Sequence, residues 1–413
     1  MRLLLGAVTA ITALALPAVA SADVITSWNR TLVDTLEAAK TPPPPANRSA
    51  AIVASSVFDA INGVARKFTP VHVAPAAPHG ASREAAAVAA AHESLVALFP
   101  AQRPMLDARY ADSLAALGSS PFVQRGLAWG TQVADQILDW RATDGFTAVL
   151  PPYIASTLPG RWHPTPPTFG PPLFRQFAQM TPFALVSPAQ FPLPGPPPLT
   201  SARYATDVNE VKGLGSATSL LRTATQTETA KFWQADVPAA MWDRVADDLA
   251  EARSWSLVRE ARVLALTNIG LADATIAVWN AKNAFDFWRP VTAIPNADAD
   301  GNRATSPDPS WQPLLATPQF QEYPSAHSAV SAAAAAVLAS FYRDDAQFTV
   351  TSAGLPVVER SFSSFAAAVD QVENARIFAG FHFRFSCEDG ATLGNEIAEY
   401  LRANALLRVS GGE

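Results

Sequence analysis

At 413 residues the chain can bury at least one large core, and because single cores stop growing at roughly 250 to 300 residues it is expected to carry two packed lobes. Hydrophobic residues make up 49% and charged ones 16%, which excludes a disordered chain. A formal net charge of −6, with no polybasic run and no basic stripe interleaved with aromatics, excludes a nucleic-acid backbone as partner but leaves room for a small anion held by a local cluster of cations.

The N-terminus MRLLLGAVTAITALALPAVASAD combines Arg2, an apolar stretch and Ala20-Ser21-Ala22 before Asp23, the pattern of an export signal over residues 1–22. The mature chain is then expected to start at Asp23 and to be periplasmic or secreted; an uncleaved membrane anchor is the rival reading. No later segment reads as a membrane span. Cys387 is the single cysteine, so no disulfide forms within one chain, and Glu388 and Asp389 beside it point to an unreactive thiol.

Residues 23–150 read as an N-terminal helical lobe. Its helices are expected over Asp23 to about Lys40, ending at TPPPPAN, then Arg48 to Ala65, Ser82 to Phe99, Arg103 to Leu117 and Pro121 to Thr143. In residues 151–200 proline and glycine deny helix and central strand, while Tyr153, Trp162, Phe169, Phe174 and Phe177 favour an extended strap resting on the helices. Residues 201–413 form the C-terminal lobe, with helices over Ser201 to Lys212, Thr225 to Val237, Met241 to Ser254, Trp255 to Phe287, the alanine run after Pro324, Ser361 to Phe378 and Gly390 to Leu406. The fold class is therefore all-α, two packed helical bundles with a proline-rich strap between them.

Three stretches of the C-terminal lobe carry chemistry. In WNAKNAFDFWRP, Trp279 and Lys282 share a helix face, and Pro290 forces Arg289 out of helical geometry, so two cations can converge at the helix end. EYPSAHSAVSAAAAAVLASF sets Pro324, Ser325, Ala326 and His327 at a helix N-terminus, a natural anion site. In ENARIFAGFHFRFS, Gly380 ends a helix so that His382 can point back toward Arg376. Each stretch alone also reads as a basic helix end, an ordinary cap or a packed histidine. Together they bring Lys282, Arg289 and Arg376 toward one place, and three buried cations call for an anion.

The order K-x6-RP (Lys282 to Pro290), P-S-A-H (Pro324 to His327) and R-x5-H (Arg376 to His382) resembles the three-part signature of vanadium-dependent haloperoxidases and type 2 phosphatidic-acid phosphatases. RSAAIVASSVFDAIN and the GRWHPTPPTF region resemble the secreted bacterial haloperoxidase branch. The resemblance implies vanadate as cofactor, with His382 binding the metal through Nε2. Lys282, Arg289, Ser325, Arg376 and the backbone N–H of Ala326 would hold the oxygens, with Lys282 also polarising peroxide, and His327 would be the acid–base group. Trp279 and Phe320 match residues lining the halide side. Two departures are Ala326, where the family has glycine, and Ala375, where serine is frequent. Ala326 costs nothing if it lies in the first helical turn and strains the chain if positive φ is needed.

The activity so implied is oxidation of halide by hydrogen peroxide to a hypohalous species that halogenates a small organic acceptor. One alternative is a soluble acid phosphatase acting on phosphate esters, with His382 as phosphorylated nucleophile; another is a non-enzymatic anion-binding helical protein. Asp286, Asp298, Asp300, Asp308 and Glu322 are candidate acceptors behind the site. His72, His79, His92 and His163 show no ligand spacing, and DADADGN lacks the glutamate of a calcium loop.

Overall fold

Helix α1 (Val24–Ala38) opens the part of the chain that the computed structural model describes, residues 24–409, so the expected export signal lies outside the described residues. Helix α2 (Pro43–Ala65) starts earlier than the proline count suggests: Pro43, Pro44 and Pro45 occupy its first turn. A missing N–H does no harm there, because the first turn has no intrahelical acceptor for it. Helices α3 (Arg83–Leu98), α4 (Arg103–Leu117) and α5 (Pro121–Ala142) follow close to expectation, with Ser82 and Ser120 capping α3 and α5.

Between residues 151 and 200 the only regular element is a short 3₁₀ turn, Arg175–Gln179. The segment is tied down by backbone bonds. Trp162, fully buried, donates its N–H to Asp286 O at 2.8 Å, Trp288 donates to Gly160 O at 3.1 Å, and Leu173 donates to Gln319 O at 2.8 Å. Phe177 packs against Trp279, but Phe169 departs from expectation and is 63% exposed.

The second half contains α6 (Ala202–Leu214), α7 (Ala224–Gln234), α8 (Pro238–Glu251), α9 (Leu257–Phe285), the short α10 (Pro290–Ala293), α11 (Ala326–Tyr342), α12 (Phe365–Phe378) and α13 (Arg384–Asn404). A hairpin of β1 (Phe348–Thr351) and β2 (Glu359–Phe362), with Phe348 opposite Phe362, takes the residues expected to begin a helix at Ser361. That helix starts only after Ser364, whose side chain accepts the Ala367 N–H. Helix α13 begins at Arg384 rather than Gly390. Gly390 lies inside it because a Cβ there would stand 2.6 Å from Ser325 O, and glycine lets α13 close on α11.

Helix α9, 29 residues long, corrects a further expectation: by length and composition it could cross a membrane. It is instead buried on nearly every face, as a central helix is. The largest apolar cluster runs from Ile25 in α1 to Leu406 after α13 and draws on α2, α3, α8, α9 and α11, so the two halves share one core.

Candidate oxyanion site

The N-terminus of α11 is the focus. Ser325 is its N-cap; the hydroxyl oxygen lies 3.4 Å from the Ser328 N–H and 2.9 Å from the Ser328 hydroxyl, both as acceptor, leaving its own O–H free to donate. Ala326 is the first residue of the helix and is not among the positive-φ residues, so alanine in place of glycine carries no backbone strain here. The N–H groups of Ala326 and His327 open the helix before its intrahelical bonds begin.

Helix α9 ends at Phe285 with Asp286 left-handed, and Arg289 follows in extended backbone ahead of Pro290, as the spacing predicts. Arg289 is fully buried. Its Nε donates to Phe320 O at 2.8 Å and its Nη1 to Phe381 O at 3.0 Å, while Nη2 has no partner. Lys282 is fully buried too, and its ammonium donates to the carbonyls of Gln321, Glu322 and Pro324 at 2.8, 2.8 and 2.6 Å. Those three bonds use all its protons. Lys282 thus pins the loop entering α11 and contributes charge, whereas direct donation to an oxyanion would require releasing one carbonyl.

Helix α12 supplies Arg376 from its last turn. Gly380 then turns the chain at φ +80°, and a Cβ there would meet Gly215 O at 2.6 Å. His382 follows, 2% exposed, with Nδ1 at 2.8 Å from Glu322 Oε1 and Nε2 at 3.0 Å from Arg289 Nη1. Glu322 Oε1 also accepts the Phe383 N–H at 3.0 Å, which makes it the acceptor and Nδ1 the donor. The Nε2 lone pair is therefore left toward Arg289. Of the five acidic candidates only Glu322 backs this imidazole. Asp286 accepts from Tyr153 and Gln321, Asp300 and Asp308 bind their own loop, and Asp298 is exposed.

The charges are unbalanced. Burial pushes Arg289 down to about 10, against Glu322, and pushes Arg376 down to about 9, with Arg289 adding to the effect. Lys282 falls well below its usual range through burial and then the two arginines. Glu322 is pushed up to about 7 by burial, against Arg289 and Lys282. His327 and His382 are both held neutral by burial and by the three cations. Three cations act against one carboxylate, and Arg289 Nη2 and Arg376 Nε remain buried without partners. A tetrahedral oxyanion fits this donor set.

Beside the cations lies a cavity of about 120 Å³, whose walls include Trp279, Phe320, Ala326, His327, Asn47 and Gln234. Trp279 and Phe320 rings stand 5.0 Å apart, and Phe320 also covers the Arg289 guanidinium at 5.0 Å. Sequence reasoning missed Gln234, whose Oε1 accepts from both Nη1 and Nη2 of Arg376 at 3.0 Å, because it belongs to no motif. Cys387 is buried, and its thiol is pushed up by burial, Glu373 and Glu322. Glu388 and Asp389 do not act on it, for they pair with Arg203 and Tyr323.

The profile of the VCPO second helical-bundle domain matches residues 262–410, the segment that holds every site residue expected from the sequence. Over that segment the chain is similar to the vanadium haloperoxidase family. Within it, the vanadium chloroperoxidase of Curvularia inaequalis is 32% identical over 92 residues, 20% of this chain and 14% of that protein's length. A crystal structure described as the first bacterial vanadium-dependent iodoperoxidase superposes with a TM-score of 0.81 at 26% identity, covering 94% of this chain and 97% of that one. An apo-type bacterial vanadium-dependent chloroperoxidase shares the fold with a TM-score of 0.70 at 16% identity, over 88% of this chain and 94% of the other.

Proposed function

We propose that the protein is a vanadate-dependent haloperoxidase that uses hydrogen peroxide to oxidise halide to a hypohalous species for transfer to a small organic acceptor. The observation that carries this reading is the pair of unpartnered guanidinium nitrogens, on Arg289 and Arg376, beside an imidazole whose Nε2 lone pair is fixed by Glu322. Arg289, Arg376, Ser325 and the Ala326 N–H would hold the oxygens, Lys282 would add fixed charge, and His382 Nε2 would bind the metal. Vanadate supplies a Lewis acid that activates peroxide without changing oxidation state.

The chain's own residues do the rest. His327, neutral on the cavity wall, accepts a proton from incoming peroxide and returns it to the leaving oxygen. Trp279 and Phe320 give the wall an apolar surface that strips water from halide, and the cations lower the cost of gathering negative charge there. Export, resting on residues 1–22, and division into residues 23–150, 151–200 and 201–413 belong to the same proposal.

Bromide and iodide oxidation by the full mature chain, with and without added orthovanadate, tests it. Peroxide-dependent halide oxidation that requires vanadate is expected; vanadate binding with no halide oxidation refutes it. Hydrolysis of p-nitrophenyl phosphate by the vanadate-free protein would favour the acid phosphatase, and anion binding with neither activity would favour a plain binder.

A further inference from the structure

The guanidinium of Arg376 presents a face, a far edge and an Nε side, and the structure gives each a different environment. The face of its guanidinium lies over the Phe381 ring at 4.8 Å. Its far edge, Nη1 and Nη2, meets one oxygen, Gln234 Oε1, at 3.0 Å from each nitrogen. Its Nε is buried with no partner. A planar guanidinium held at its far edge and face has one way left to donate in pairs, through Nε–H and the neighbouring Nη–H.

Gln234 is well placed to hold that edge. It is the last residue of α7, and the end of α7 is fastened from three sides: Trp233 Nε1 donates to Gln371 of α12 at 3.0 Å, Ser352 Oγ to Phe232 O at 3.2 Å, and the Ala353 N–H to Asp236 at 2.8 Å. The amide is also uncharged. A carboxylate at the same place would hold the same edge but cancel the charge that Arg376 offers an anion.

We propose that Gln234 is a positioning residue that aims the Nε edge of Arg376 at the bound oxyanion while leaving its full charge available. The proposal rests on the vanadate reading above, and the test separates the two. Calorimetric titration of orthovanadate into the full mature chain is compared for wild type, Gln234→Met, Gln234→Ala and Gln234→Glu, with melting temperature of the vanadate-free proteins and the vanadium NMR shift of the bound ion as further readouts. Gln234 is itself exposed, but Met and Ala strand the buried Nη1 and Nη2 of Arg376, so those two vanadate-free variants should melt a few degrees lower, and the Glu variant, which keeps an acceptor, close to wild type. Met and Ala are expected to weaken binding by about tenfold and to move the NMR shift, through loss of aim. Glu should keep the aim and weaken binding by about tenfold through charge. Wild-type affinity and shift in all three variants would overturn the role of Gln234. A wild-type protein that binds no vanadate would overturn the reading beneath it, and this proposal with it.

Discussion

Glu322 determines which nitrogen of His382 carries the proton, because its Oε1 already accepts the Phe383 N–H and so takes the Nδ1 proton as well. Glu322→Gln can present an N–H to Nδ1 and turn the imidazole to the other tautomer. Orthovanadate affinity should fall by about 10- to 100-fold with an unchanged circular dichroism spectrum, since supporting residues of this kind orient the ligand they touch. Unaltered affinity would show that Nδ1 needs no such partner. At this scale most of the site is legible in the sequence. Lys282, Arg289, Ser325, His327, Arg376 and His382 stand in short spaced motifs, and Pro290 and Gly380 set the two chain turns that bring Arg289 and His382 inward. Gln234 is not legible. It reaches Arg376 across 142 residues, and no local pattern marks a glutamine for that task. The saturation of Lys282 by three carbonyls is hidden for the same reason, because it depends on the path of a distant loop.

Among the elements, α9 organises both the site and the segment crossing it. Its buried Asp273 accepts the N–H groups of Phe183, Ala184 and Leu185 at 2.6, 2.9 and 3.0 Å, fastening the proline-rich segment about two and a half turns before Lys282 on the same helix. Asp273→Ala strands three donors and should cost about 3 kcal/mol in urea unfolding, while Asp273→Asn, which keeps one acceptor oxygen, should cost less. Equal stability of the alanine variant and wild type would show that these bonds are replaced by water. Serine caps and alanine-rich faces made the helices of this fold readable. The misplaced boundaries have local causes: prolines are tolerated in the first turn of α2, glycine inside α13 marks close approach to α11, and the hairpin before α12 is too short to show an alternating pattern.

For the whole molecule, stability and function draw on the same core, since α9 and α11 run through its largest apolar cluster and end at the site. That core also encloses Asp243, which burial pushes up to about 7 against the Asn268 hydrogen bond and Arg244; neighbouring Asp247 is raised as well, by burial and then by Asp243. A folded-state value above the unfolded one means that the contribution of Asp243 to stability is full below about pH 4 and lost as pH rises through about 7. Asp243→Asn keeps an oxygen for Asn268 and cannot ionise. Relative to wild type it should gain on the order of 2 kcal/mol between pH 5 and pH 8 by chemical unfolding; a difference that does not vary with pH would place the charge of Asp243 elsewhere. The central claim is that Lys282, Arg289, Arg376, Ser325 and His382 surround one oxyanion. A crystal structure of the mature protein soaked in orthovanadate tests it most directly. The account predicts vanadium bonded to His382 Nε2, with Arg289 Nη2 and Arg376 Nε donating to its oxygens. Vanadium bound elsewhere, or density for no anion between those side chains, would contradict it.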